Sequence, residues 1–253
     1  MPSGWTPSPY DGRDIQYSAF DAVPVPPRVT LSHPFSVRNQ AKVPCCVSIV
    51  VATCMEILDA QRGRSIELSP LFHYWVSRSN PLELKVLDPR TALQAASTIG
   101  VCRRDLHDLP FNAEGAATSP SDAARADAEG QRLAGYDASS MRMQYSVVAG
   151  PRVEGCKAAI ARGVPVMLAF WVTSAYRALS ALKPTHGSPP RERSDDGHAV
   201  TLLGYDDARS SFLVKDSRGA SFGKNGHWQL PYSVMESPLV HEAWVLERIQ
   251  YDA

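Results

Sequence analysis

Three residues of this 253-residue chain could together carry out thiol chemistry: Cys46, His198 and Asp216. A thiol nucleophile needs a base to take its proton, and the base needs a partner that orients it. A helix N-terminus helps further, because its dipole and uncapped N–H groups favour the thiolate. Cys46 stands at the start of a long apolar run, His198 opens a strand-like run, and Asp216 follows another. Each residue alone has a plainer reading. A free cysteine is most often a small buried hydrophobe, and an Asp after a strand is most often a turn or cap residue. Their combination, with Gln40 six residues before Cys46, is what points to chemistry.

These residues need elements to hold them. Pro44 to Leu58 is apolar on nearly every face. Its length and its Met55–Leu58 end predict a helix, with proline suited to the first turn and Gly63 beyond the end. A helix that is apolar all round lies inside the protein. Ser69–Ser77 and Thr91–Ile99 read as two more helices, the second closed by Gly100, and Glu154–Arg162 as a short one closed by Gly163. The period then changes. Val164–Val172, Ala199–Tyr205, Phe212–Lys215, His227–Leu230 and Ala243–Leu246 are short apolar or alternating runs and read as strands. Helices first and strands second predict an α+β protein of two lobes. The expected divisions are an extended segment at 1–35, which holds seven of the 20 prolines, and a helical lobe with the nucleophile at 36–111. A low-complexity insertion or connection at 112–140 and a β-rich lobe with His198 and Asp216 at 141–253 complete them.

Composition excludes several classes. The 26 basic and 26 acidic residues leave a formal charge of zero, which offers no electrostatic reason to bind nucleic acid or an anionic membrane. With 44% apolar and 21% charged residues the chain is globular rather than disordered. Five cysteines, two of them the adjacent Cys45 and Cys46, do not make a secreted disulfide scaffold. The start, Met1 to Pro7, has neither the basic nor the apolar region of a secretory signal, and no apolar run approaches membrane-spanning length. A cytoplasmic protein with free thiols is expected. No Cys-x-x-Cys or His-x-x-x-His spacing suggests a metal, so Cys54, Cys102 and Cys156 read as packing.

The separation of 152 positions between Cys46 and His198, with Gln40 upstream and Asp216 downstream, resembles the papain-like cysteine peptidases. The likeness covers residues 36–110 and 141–248, and the leader Gly4-Trp5 through Asp11-Gly12-Arg13-Asp14 is similar to that of compact bacterial members. The resemblance implies a two-lobe fold with the cleft between the lobes. It implies Gln40 as oxyanion donor, Cys46 as nucleophile, His198 as base and Asp216 as orienter. It also implies a peptide or protein substrate and no cofactor or metal. Some positions depart from the family pattern. Gly-Ser-Cys-Trp becomes Pro44-Cys45-Cys46-Val47, the orienting Asn becomes Asp216, and the Trp that shields it becomes Arg218. Arg218 is therefore expected to pair with Asp216 and compete with His198.

The same residues would serve hydrolysis or transfer of the acyl group to an amine, as in a ligase. A third reading is a papain-like binding module with little catalysis, which Pro44, Val47 and Arg218 favour. Oligomeric state is not legible. Trp171, Trp228 and Trp244 read as core, His186 as a solvated loop residue near the cleft, and Asp206-Asp207 as a turn. Residues 1–35 are expected to be structural rather than a removable inhibitor.

Overall fold

The computed structural model describes residues 4–17, 25–133, 145–148, 151–187, 195–247 and 249–250. Two short strands, β1 (Gln16–Tyr17) and β2 (Arg28–Thr30), precede the helices α1 (Cys46–Ala60), α2 (Pro70–Val76), α3 (Pro89–Thr98), α4 (Ala113–Ala117) and α5 (Asp122–Glu129). Then come β3 (Arg132–Leu133), β4 (Tyr145–Val148), α6 (Arg152–Ala161), β5 (Val166–Trp171), α7 (Ser174–Arg177) and β6 (Gly197–Asp206). The chain ends with β7 (Ser211–Lys215), β8 (His227–Pro231), α8 (Tyr232–Met235), β9 (Val240–Leu246) and β10 (Ile249–Gln250). This is an α+β protein.

The main sheet has the order β1-β4-β9-β5-β6-β7-β8, with β2 added alongside β6, and every pair is antiparallel except β1 with β4. Its central strands are buried at nearly every position because both faces are covered. Successive side chains of a strand point to opposite faces. Met167, Ala169, Ala199, Trp244 and Leu246 therefore join α1 in one cluster, while Val166, Leu168, Phe170, Val200 and Val245 join α6 in another. Helix α1 is buried from Cys46 to Asp59, as its apolar circumference requires.

The helix ends follow local chemistry. Ser69 caps α2 by accepting from the Phe72 N–H, and Asp88 caps α3 by accepting from Thr91, with Pro89 in the first turn. The low-complexity stretch contains α4 and α5, capped by Asn112 and Ser121. They pack through the buried alanines Ala116, Ala124 and Ala128, whose small side chains allow close approach. Gly100, at φ +93°, ends α3 where a Cβ would overlap the Ala128 carbonyl. Among the described residues no helix is long and apolar enough to cross a membrane, and no cluster of three or more His, Cys, Asp or Glu could hold a metal.

One buried charge ties the parts together. Glu56, inside α1, accepts from Arg38 Nη2 at 2.5 Å, Arg38 Nη1 at 2.9 Å, the Leu68 N–H at 2.8 Å and His33 Nε2 at 2.8 Å. Lys215, at the end of β7, reaches His33 Nδ1 at 2.6 Å and the Phe35 carbonyl at 2.8 Å. Residues 33–38, α1 and β7 are thereby held in one register. Breaking a buried pair leaves an uncompensated charge, so Glu56→Gln is expected to lower stability by about 3–5 kcal/mol in urea unfolding. Burial pushes the Glu56 carboxyl up, but His33 and Arg38 outweigh it and hold it low. The advantage over the variant should be full above the ordinary carboxylate range and shrink as pH falls. An unchanged urea midpoint would contradict this role.

Candidate active site

The site lies where the start of α1 meets the starts of β6 and of the turn after β7. Cys45 is the N-cap of α1 and makes no side-chain cap bond, and Cys46 is the first helical residue, at the positive end of the helix. Cys46 is wholly buried. His198 is the second residue of β6 and pairs with Phe170 of β5. Its Nε2 lies 3.1 Å from Asp216 Oδ1, and the imidazole also hydrogen-bonds the Cys46 side chain, for which Nδ1 is the nitrogen left. The rings of Phe170 and Tyr176 pack at 6.0 and 5.5 Å from the imidazole centroid and keep the contact dry.

Asp216 is buried but well supplied with donors. Besides His198 it accepts from Trp228 Nε1 at 2.8 Å, the Ser217 N–H at 2.8 Å and the Tyr176 hydroxyl at 3.2 Å. Burial pushes its carboxyl up, yet His198, Trp228 and the Ser217 amide hold it below the usual carboxylate range. For His198 burial acts downward, but the charge of Asp216 and then the Cys46 sulfur overcome it and raise the imidazole from 6.5 to about 10. The arrangement favours a charged imidazolium beside a charged carboxylate.

Gln40 is also wholly buried. Its Oε1 accepts from Ser217 Oγ at 2.6 Å, and its Nε2 donates to the Val43 carbonyl at 3.0 Å. The Ser217 hydroxyl thus sets which way the amide faces, and a second N–H remains for another acceptor. Backbone bonds from Gln40 N to Ser217 O at 2.8 Å and from Gly219 N to Arg38 O at 3.0 Å zip this segment to the Asp216 turn. The structure therefore brings all four sequence-predicted residues to one place.

Several expectations need correction. Arg218 does not pair with Asp216; its guanidinium lies over the rings of Phe222 at 4.3 Å and Tyr176 at 5.4 Å. The indole on the carboxylate comes instead from Trp228, a core residue with a polar end. His186 is not solvated: it is buried, 3.1 Å from Thr173 Oγ1, with its ring 6.0 Å from Trp228. Cys45 points its thiol into the apolar cluster of the helical lobe, where burial raises it well above its usual range. Sequence reasoning missed Tyr176 and Ser217. Adjacency to Asp216 could have flagged Ser217, whereas no local signal marks Tyr176.

The N-terminal segment lies in the site. A Cβ on Gly4 would stand 2.5 Å from Cys46 Sγ and 3.1 Å from the Cys46 backbone nitrogen. Thr6 N donates to the Leu87 carbonyl at 3.1 Å, and Trp5 pairs with Leu87 in parallel. Trp5 is buried against Gly197, with its centroid 5.0 Å from Trp171. The segment expected to be structural thus passes beside the Cys46 sulfur.

The charged pair sets a pH window. The stability from His198 is complete below about 6.5 and is lost as pH rises through about 10; that from Asp216 is present above the ordinary carboxylate range and is lost as pH falls. An NMR titration should find the His198 ring still protonated at pH 8, and Asp216→Asn should return it toward the ordinary histidine value. A wild-type ring that titrates near 6.5 would contradict the ion pair.

Comparison with known proteins places the fold. No family model matches the chain. It is 23% identical over 231 residues to the uncharacterised peptidase C1-like protein L477 of Acanthamoeba polyphaga mimivirus, covering 87% of this chain and 72% of that protein. Xylellain, a cysteine protease from Xylella fastidiosa, superposes with a TM-score of 0.86 at 22% identity, over 98% of this chain and 96% of its own. Digestive procathepsin L2 of Tenebrio molitor gives 0.75 at 16% identity, over 96% and 77%. The Carica candamarcensis protease CMS1MS2 gives 0.63 at 15% identity, over 90% and 100%. The fold is the papain-like two-lobe fold.

Proposed function

We propose that the protein is a cysteine peptidase, hydrolysing peptide bonds in peptides or proteins through a thioester on Cys46. The observation that carries this reading is the unbroken chain Cys46–His198–Asp216, with the Gln40 amide held alongside by Ser217. Residues 36–111 and 141–253 are proposed as the two lobes that supply it.

Each step has a group to perform it. His198 takes the proton of Cys46, and Asp216 holds the resulting imidazolium. The thiolate adds to the carbonyl carbon. The Cys46 N–H and the remaining Gln40 N–H receive the oxyanion, each donor being worth roughly 3–4 kcal/mol in such sites. His198 then gives its proton to the leaving amine as the C–N bond breaks. A water, deprotonated by His198, adds to the thioester and releases the acid, and the proton returns to the sulfur. These steps draw only on protein groups and water. Asp216 holds the imidazolium more firmly than an amide would, because it contributes a full charge. The five free, buried cysteines agree with a reducing compartment, and we place the protein in the cytoplasm on that ground.

Covalent labelling tests the reading. A peptide carrying a thiol-directed electrophile should modify Cys46 in intact-mass and peptide-mapping experiments. Cys46→Ala should abolish the adduct and Cys45→Ala should retain it; the reverse pattern would move the nucleophile to Cys45. Gln40→Ala should keep the adduct but slow turnover of a peptide by roughly 10²–10³-fold. Products with water added across the bond would mark hydrolysis, and products carrying a new amine would mark transfer.

A further inference from the structure

Arg218 takes no part in the thiol chemistry, yet it is a cation held beside it. It is half-buried in the turn after β7, where Asn39 pairs with it in an antiparallel bridge and Gly219 N donates to the Arg38 carbonyl at 3.0 Å. Its guanidinium is stacked over Phe222 at 4.3 Å and Tyr176 at 5.4 Å. Stacking holds the plane of a guanidinium but satisfies none of its N–H groups. Its Nε is buried and has no acceptor. Among the described residues no carboxylate pairs with it, since Asp216 is committed to His198 at 3.1 Å. A fixed, partly dehydrated guanidinium without an anion favours a ligand that brings one, and a carboxylate matches its fork.

The surroundings carry the same sign. Residues 31–55 and 217–235 contain Arg38, Lys42, Arg218 and Lys224 but no Asp or Glu. Arg38 is met by Glu56. Among the described residues the exposed Lys42 and Lys224 pair with no carboxylate. The two segments lie against each other: a Cβ on Gly226 would stand 2.5 Å from Val37, and one on Gly219 3.2 Å from Asn39. The whole chain has no net charge, so this is a local excess of positive charge that draws anions to one flank of the site.

That flank is the one the leaving group must use. On one side of His198, Gly197 lies against the Trp5 indole. On the other, the Tyr176 ring is shared, 5.5 Å from the imidazole and 5.4 Å from the Arg218 guanidinium. The leaving amine comes to the imidazole for its proton, so the part of a substrate beyond the broken bond runs toward Tyr176 and Arg218. The contacts that hold Arg218 come from Asn39, Tyr176 and Phe222 rather than residues 4–8, so they persist whether or not that segment fills the cleft.

We propose that Arg218 binds a carboxylate on the leaving-group side of the reacting bond. The site then prefers substrates whose first residue after that bond carries one, as a C-terminal acid or as an acidic side chain. This rests on the peptidase reading above. The family pattern has an indole at this position, which offers no charge, so the preference belongs to this chain's own substitution.

Peptides identical up to the reacting carbonyl and followed by Ala free acid, Ala amide, Glu amide or Lys amide test it on the full-length chain, with products read by mass spectrometry. The better of the free acid and the Glu amide should exceed the Ala amide by roughly tenfold in kcat/KM, mainly through KM, and the Lys amide should be slowest. The free acid ahead of the Glu amide marks release of C-terminal residues; the reverse marks cleavage before an acidic side chain. Arg218→Gln should collapse the preference toward one, and Arg218→Lys should restore part of it. Equal rates for all four peptides, or a preference that survives Arg218→Gln, overturn the proposal. If Arg218→Gln does not fold, salt decides on the wild type: the preference should shrink between about 0.05 and 0.5 M NaCl, and one that ignores salt overturns it. If no peptide is cleaved, the peptidase reading fails, and alkylation of Cys46 judges the carboxylate site separately. The rate with iodoacetate relative to iodoacetamide should then fall in Arg218→Gln or in high salt, and an unchanged ratio overturns the site.

Discussion

A charged carboxylate shut away from water is the constraint around which this structure is arranged. Asp216 is 3% exposed, in a setting where an unpaired charge would be prohibitive. Its neighbours answer that need one by one: an imidazole, an indole N–H, a phenol and a backbone amide. The ionised carboxylate in turn makes a protonated His198 stable beside Cys46. One buried charge therefore sets the protonation state of the imidazole and the orientation of its ring. Through the next residue, Ser217, it also adjoins the group that orients Gln40.

A second buried carboxylate holds the frame. Glu56 sits in the helix that Cys46 begins and gathers Arg38, His33 and Leu68, while Lys215 closes onto His33 from the strand that leads to Asp216. The two carboxylates thus bracket the same segments from opposite ends. Buried ion pairs contribute little net stability compared with apolar packing, but they punish any other register. That suits a site whose parts come from the start of a helix, the start of a strand and a turn, since none of these elements alone determines where the others stand.

The substitutions that looked most damaging in the family pattern are absorbed by packing. Arg218 lies across aromatic rings and leaves the carboxylate to Trp228, so the loss of an indole at one position is met by an indole from β8. Cys45, where the family has Ser, is turned into the apolar cluster and caps nothing. The N-terminal segment has the opposite character. It is a run of prolines and small residues without periodicity, yet it passes over the sulfur and places Trp5 on a buried carboxylate.

Much of this was legible before any coordinates. The apolar circumference of residues 44–58 required a buried helix, and the short alternating runs after residue 163 required strands. The types and order of Gln40, Cys46, His198 and Asp216 pointed to thiol chemistry, since helix starts and strand starts are local features. What stayed hidden depends on partners far apart in the chain. Tyr176 and Trp228 meet Asp216, Ser217 meets Gln40, and Gly4 meets Cys46 only when the lobes have closed around α1. Periodicity tells which face of an element is buried, because that follows from the element's own geometry. It is silent on which distant polar group will face a given donor, because that depends on the register between elements, which only the packed tertiary structure decides.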